Sequence, residues 1–333
     1  MTAATSRDDA LMITRRHTIK ALGLSVPMLM AGSLAACGET SQAPSPSDKG
    51  AVRFTNADGS VTDIPVVPRR ILSTSTSVTG TLLAIEAPLI ASASAANGQY
   101  FPQWGDVAKS RDVENVWPAG NVNIEAAIAA KPDLIVVSTG GADSALAQLA
   151  ELQAIAPTIL VDYGGQSWQD LAIQLGKATG LEAQANARIA AFDRYVADAR
   201  ERITVPAGKV NIISFNGSGT TNPIATAHGA HGRLLTALGF TVEDPNPSWH
   251  SGAEARNDFV WAPYEKLTLL TASTTFLLRA NAERVAAFLE DPVLANLPSV
   301  RARQVRSLGA NSFRIDFYSA TQIVDGIVEH FGK

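Results

Sequence analysis

From residue 51 to the C-terminus, short β-rich apolar runs alternate with stretches whose apolar positions recur at helical spacing. Residues 71–75, 89–93, 134–138 and 158–161 read as strands, with helices predicted over 80–87, 124–130 and 144–154. Pro132-Asp133 ahead of the unbroken run Leu134-Ile135-Val136-Val137 marks the passage from a helix into a strand buried on both faces. A second set of strands over 210–215, 275–278 and 305–308 closes with an amphipathic helix over 319–331. This alternation predicts α/β architecture.

Between the two sets runs a long helical stretch, 168–179 and then 181–203, broken at Gly180. Ala187, Ala190, Ala191, Val196 and Ala199 recur among charges at helical spacing in its second part. Two similar α/β lobes joined by one long helix imply restricted hinge motion, with a ligand in the cleft between them.

The most apolar run lies elsewhere, at 21–36, after Arg15, Arg16 and Lys20. It contains Pro27 and is shorter than the roughly 20 residues a membrane-spanning helix needs, so it reads as a cleaved export signal. Leu34-Ala35-Ala36-Cys37 resembles the bacterial lipoprotein signal, in which the cysteine is acylated and the chain is cut before it. Thr14-Arg15-Arg16-His17-Thr18-Ile19-Lys20 also resembles a twin-arginine motif, although two arginines before an apolar run fit the ordinary export pathway as well. Residues 38–50 are rich in Ser, Pro and Gly, a composition that behaves as a tether. The sequence therefore divides into a leader (1–36), a lipid-anchored tether (37–50), a first lobe (51–166), an inter-lobe helix (167–205) and a second lobe (206–333).

Composition narrows the chemistry. Cys37 is the single cysteine of the 333 residues, which excludes an intramolecular disulfide and any thiolate metal cluster. The net charge of −4, with no long basic run, argues against nucleic acid as a partner. His228 and His231 stand three apart, but with few other histidines and no further thiol they do not make a metal site. Ser218 in Asn216-Gly217-Ser218-Gly219 lacks the spacing of a nucleophile elbow, and no Ser/His/Asp order stands out, so catalysis is not expected. Gly140-Gly141 follows a strand without the Lys-Ser/Thr of a phosphate loop.

Several fragments resemble the periplasmic ferric-enterobactin-binding proteins. They are Arg70-Ile71-Leu72-Ser73-Thr74-Ser75-Thr76-Ser77-Val78-Thr79-Gly80, Gln103-Trp104, Gly140-Gly141-Ala142-Asp143-Ser144-Ala145-Leu146, Ile155-Ala156-Pro157-Thr158, Ser167-Trp168 and Phe313-Arg314-Ile315-Asp316-Phe317-Tyr318-Ser319-Ala320. Their order and spacing extend from about residue 64 to the C-terminus. The resemblance implies a class III periplasmic-binding-protein fold, two Rossmann-like lobes on one backbone helix, working as a monomer that feeds an ATP-driven importer. It implies no cofactor, because the iron arrives already wrapped as a ferric siderophore.

Such a ligand is a trianion with flat aromatic faces, and it calls for arginines in loops at strand ends, where the planar guanidinium both donates hydrogen bonds and stacks. Arg314, beside Phe313, matches the family's cleft arginine; Arg256 and Arg111 are further candidates, with Arg233 and Arg279 behind them. Ser75 and Thr76 follow the first strand and precede a helix, where hydroxyls and free amides either reach ligand oxygens or serve as plain caps. Trp249 lies in an irregular polar stretch, where its ring either faces the cleft or packs as a structural tryptophan. The family's counterpart of residues 93–102 is longer and brings another arginine; here Tyr100 and Phe101 stand in its place and offer stacking instead. The resemblance also implies that Glu125 and Glu265, one per lobe, meet arginines of the permease, and that Cys37 carries the lipid holding the protein at the membrane. Another iron chelate (a hydroxamate, a citrate complex or haem) remains an alternative ligand. A siderophore-processing hydrolase or a surface sensor is the alternative of another class.

Overall fold

A computed structural model describes residues 51–64, 67–252 and 257–333, and among them no helix is long and apolar enough to cross a membrane. The leader, the tether and the lipidation residue Cys37 lie outside the described residues.

The first described elements, β1 (Val52–Thr55) and β2 (Val61–Ile64), pair antiparallel around a turn at Gly59. Asn56 ties this hairpin to the lobe by accepting a hydrogen bond from the Leu160 amide at 2.8 Å. The first lobe is a parallel sheet of β3 (Ile71–Ser73), β4 (Leu89–Ser94), β5 (Glu114–Pro118), β6 (Leu134–Ser138) and β7 (Thr158–Val161), in the order β5-β4-β3-β6-β7. Every residue of β3, β6 and β7 is buried, as expected for strands covered on both faces. The connecting helices are α1 (Thr76–Ala84), α2 (Pro102–Ser110), α3 (Ile124–Ala130) and α4 (Leu149–Gln153). Chain progress reverses between β3 and β6, so the crevice beyond their carboxyl ends is the switch point where open α/β sheets bind ligands.

Two helices leave this lobe. Helix α5 (Trp168–Thr179) starts on a Ser167–Asp170 capping box and stops at Gly180 in the left-handed conformation. Helix α6 (Glu182–Arg202) then runs 21 residues, about 30 Å, to the second lobe. The break at Gly180 falls where the sequence put it.

The second lobe contains β8 (Lys209–Ile213), β9 (Thr221–Ala225), α7 (Ala230–Ala237), β10 (Thr241–Val242), β11 (Phe259–Pro263), β12 (Thr274–Leu277), α8 (Ala282–Glu290), α9 (Pro298–Arg301) and β13 (Val305–Ser307). Its sheet is mixed rather than a copy of the first. In the order β11-β9-β8-β12-β13, β9 pairs antiparallel with both of its neighbours. The cause is local: Gly217 and Gly219, both at positive φ, turn the chain straight back after β8 without a crossover helix.

The last helix, α10 (Phe317–Phe331), also departs from the sequence-based division. It packs on α1, α2 and α6, so the chain of the second lobe ends against the first. Trp168, Phe192 and Phe317 meet edge to face at the junction of α5, α6 and α10, with ring centroids 5.2 to 6.0 Å apart. One continuous apolar core therefore runs through both lobes and the helices between them, and it opposes wide hinge opening.

Candidate functional site

The site starts at the amino end of α1. Ser75 is extended there, but its side chain caps nothing within the helix. Asp143, from the loop after β6, does that work instead. Its Oδ2 accepts hydrogen bonds from Ser75 Oγ at 2.6 Å, Thr76 Oγ1 at 3.1 Å and the Ser77 amide at 3.1 Å. Burial alone would push this carboxyl up; the Ser75 hydrogen bond and the nearby Arg314 charge outweigh it and hold Asp143 below the usual carboxylate range. A buried anion at a helix amino terminus also complements the helix dipole.

The other oxygen of Asp143 accepts the phenol proton of Tyr163 at 2.9 Å. The same phenol accepts a hydrogen bond from Arg314 Nη1 at 2.7 Å, and the guanidinium carbon sits 5.3 Å from the Tyr163 ring centroid. Burial and the Asp143 charge push the phenol pKa up, so the proton stays on. Gly141 has φ +90°, and a Cβ there would run into the Tyr163 hydroxyl. Gly141 is thus a clearance for the tyrosine, whereas a Cβ on Gly140 would meet nothing.

Phe313 forms the opposing wall. It stacks on Phe259, with centroids 5.6 Å apart and planes at 22°, and carries the Arg279 guanidinium 4.4 Å from its own centroid. Arg279 is anchored to Ser214 Oγ at 3.0 Å. His231 is fully buried, and burial pushes it down to about 4, so it is neutral at pH 7; its Nε2 proton goes to the Ser312 carbonyl at 2.7 Å. Asp316 caps α10 through a hydrogen bond from the Ser319 amide and receives Gln103 Nε2 at 3.3 Å. Burial pushes Asp316 up to about 6.

These walls enclose a cavity of about 270 Å³, near the lower end for small-molecule sites. Ser77, Gly141 and Tyr163 line it from the first lobe; Arg233 and Trp261 line it from the second, with Arg314 in the crossover segment ahead of α10. It lies beyond the carboxyl ends of β3 and β6, at the switch point.

Of the candidate ligand residues singled out in the sequence, Arg314, Phe313 and Arg233 line this cavity, and Arg279 stands behind Phe313. Ser75 and Thr76 do not. They are buried beneath it with their hydroxyls committed to Asp143, and the next hydroxyl residue, Ser77, lines the cavity instead. Tyr100 packs on Trp104 with its phenol bonded to the Val113 carbonyl at 2.9 Å, away from the cavity. Arg111 ends α2 and donates to the Leu83 carbonyl at 3.1 Å, which makes it a brace between α1 and α2. Trp249 packs on the apolar cluster of the second lobe, whereas Trp261 reaches the cavity. Arg256 lies outside the described residues. Glu125, in the first turn of α3, and Glu265, in a short 3-10 turn after β11, are both exposed. Among the described residues no group of three or more His, Cys, Asp or Glu converges to hold a metal.

Asp143, Tyr163 and Trp261 were not legible as site residues. Their one signal was position: Asp143 follows the glycine pair after β6, and Tyr163 follows β7, both at carboxyl ends of parallel strands.

Residues 71–312 match the family model described as periplasmic binding protein. The ferric enterobactin-binding periplasmic protein FepB of Escherichia coli O6:H1 is 40% identical over 270 residues, which is 78% of this chain and 84% of that protein. The iron(3+)-hydroxamate-binding protein FhuD of Bacillus subtilis is 31% identical over 209 residues, covering 60% of this chain and 62% of that one. Among solved structures, holo-ViuP superposes with a TM-score of 0.82 at 50% identity, covering 84% of this chain and 95% of that chain.

Proposed function

The chain belongs to the periplasmic binding protein family, and from that premise we propose that it captures a ferric catecholate siderophore in the inter-lobe cleft and hands it to the permease of an ABC importer. It is a binding protein and not an enzyme, acting in iron–siderophore uptake outside the cytoplasm. The iron enters as cargo inside the chelate, so the protein supplies no metal ligand.

The observation that carries this reading is the pairing of Arg314 with Phe313 at the mouth of the cavity. A guanidinium offers hydrogen bonds and charge to anionic catecholate oxygens, and the Tyr163 and Phe313 rings on either side of it in the lining give the catechol aromatic surface to pack on. FepB is named for ferric enterobactin and is 40% identical to this chain, which supports a catecholate over a hydroxamate. The same reading makes the protein a monomer held at the membrane by lipid on Cys37, with Glu125 and Glu265 presented to the permease.

Tryptophan-fluorescence titration of the full chain with ferric enterobactin, a ferric hydroxamate and haem tests it. The catecholate is expected to bind tightest, with a dissociation constant below about 1 µM, roughly 8 kcal/mol. Failure of every ferric siderophore to bind at that level would sink the reading, and a preference for haem or the hydroxamate would replace the ligand.

A further inference from the structure

Arg314 is held by the chain around it and, separately, by the end of its own side chain. Its neighbour Phe313 is clamped between Phe259 and Arg279, its own carbonyl accepts Ser319 Oγ at 2.8 Å, and Asp316 begins α10. These contacts fix the chain but leave a long side chain free to turn. The end of that side chain is fixed by the first lobe, through the bond from Nη1 to the Tyr163 phenol and the ring beneath it.

The direction of that bond is set one residue further back. Asp143 is ionised and can only accept, so the Tyr163 proton must point to it and the phenol lone pair must point to Arg314. The other Asp143 oxygen is occupied by Ser75, Thr76 and the Ser77 amide, so the carboxylate itself cannot turn. A guanidinium has five N–H donors, and this arrangement engages one, leaving the rest for a bound anion.

We propose that Asp143 and Tyr163 are positioning residues for ligand capture: a carboxylate rooted at the amino end of α1 orients a phenol, which aims the Arg314 guanidinium into the cleft. The proposal rests on Arg314 touching the ligand, as argued above. Its physical basis is preorganisation, since a side chain already ordered in the free protein loses little freedom on binding. It also gives a reason why Gly141 has no side chain, because the space a Cβ would need is filled by the phenol.

A double-mutant cycle on the full chain, titrated with ferric enterobactin, tests it. Tyr163→Phe removes one oxygen and is expected to weaken binding about five- to tenfold, the scale of ordering one arginine side chain. Asp143→Asn should weaken it at least as much. In an Arg314→Ala background both substitutions should have no further effect, because there is no guanidinium left to aim. A merely structural role for either residue would give additive losses in that background. Additive losses, or an unchanged affinity for Tyr163→Phe, would overturn the proposal while leaving Arg314 as a ligand contact. Unchanged affinity for Arg314→Ala alone would overturn the site assignment, and the positioning role with it.

Discussion

Gly80 of α1 and Asp316 at the start of α10 face each other so closely that a Cβ on the glycine would lie 2.5 Å from the aspartate Oδ2. The absence of a side chain at Gly80 lets a fully buried carboxyl sit between α1, α2 and α10 with Gln103 as a distant partner. That contact fastens the crossover segment carrying Arg314 to the first lobe.

It also makes stability depend on pH with a definite sign. Burial raises Asp316 from 3.8 to about 6, so the folded protein holds this proton more tightly than the unfolded chain does. The stability contributed by the neutral form is complete below pH 4 and is lost as pH rises through 6. Relative to Asp316→Asn, which keeps an acceptor for the Ser319 amide, the wild type should lose on the order of 3 kcal/mol between pH 4 and 7. Thermal unfolding of both proteins across that range checks it; parallel curves would refute the assignment.

The glycine pair after β6 makes a second prediction. Gly141 adopts φ +90°, and an alanine Cβ there would meet the Tyr163 hydroxyl and lie 2.8 Å from Asp143 Oδ1. Gly141→Ala should cost about 1–3 kcal/mol in stability, from backbone strain and displacement of the phenol. It should also weaken ferric enterobactin binding as Tyr163→Phe does. Denaturant unfolding with a parallel titration reads both, and a loss of stability with affinity intact would separate the glycine from the binding site.

A third prediction sorts the arginines. Arg314→Ala should weaken binding more than about tenfold, since it removes a charged donor from the cavity wall. Arg111→Ala should leave the affinity within a factor of about two while lowering stability by about 1 kcal/mol, because its guanidinium serves the Leu83 carbonyl. Isothermal titration of the two variants settles it; an affinity loss in Arg111→Ala would put that residue back in the site.

This contrast shows what the sequence can and cannot carry. Buried parallel strands such as Leu134–Ser138 announce themselves by an unbroken apolar run, and the Gly180 break by a residue type, so most of the first lobe and the inter-lobe helices were legible, whereas β5, largely exposed, and α2 carried no such run and were not read. The antiparallel β9 and β11 were not, because their pattern does not state which neighbour they pair with. At the site, a lone arginine reads the same in sequence whether it braces two helices, as Arg111 does, or lines a cavity, as Arg314 does. The difference lies in a carbonyl 28 residues away for one and a tyrosine 151 residues away for the other. Ser75 and Thr76 were read as ligand hydroxyls or caps. They are neither, because Asp143, 68 residues from Ser75, claims both.

The last prediction concerns the outer surface, where the two glutamates implied to meet the permease are exposed, Glu125 on the first lobe and Glu265 on the second. Each is followed closely in the chain by an exposed aliphatic side chain: Ile128, 56% exposed, one α-helical turn after Glu125, and Leu269, 53% exposed, four residues after Glu265 at the end of the same 3-10 segment. A carboxylate beside an apolar knob offers a permease both a charge to pair with and a surface to bury, and the apolar part contributes most where water is excluded. Glu125→Ala combined with Glu265→Ala should therefore leave ferric enterobactin affinity unchanged, since neither residue lines the cavity, while cutting transport in vesicles carrying the permease by at least about tenfold, the loss of roughly 1.4 kcal/mol. Ile128→Ser with Leu269→Ser should lower transport in the same assay without the salt dependence that the charge variants remove. Transport at the wild-type rate in the double glutamate variant would place docking on another face of the protein.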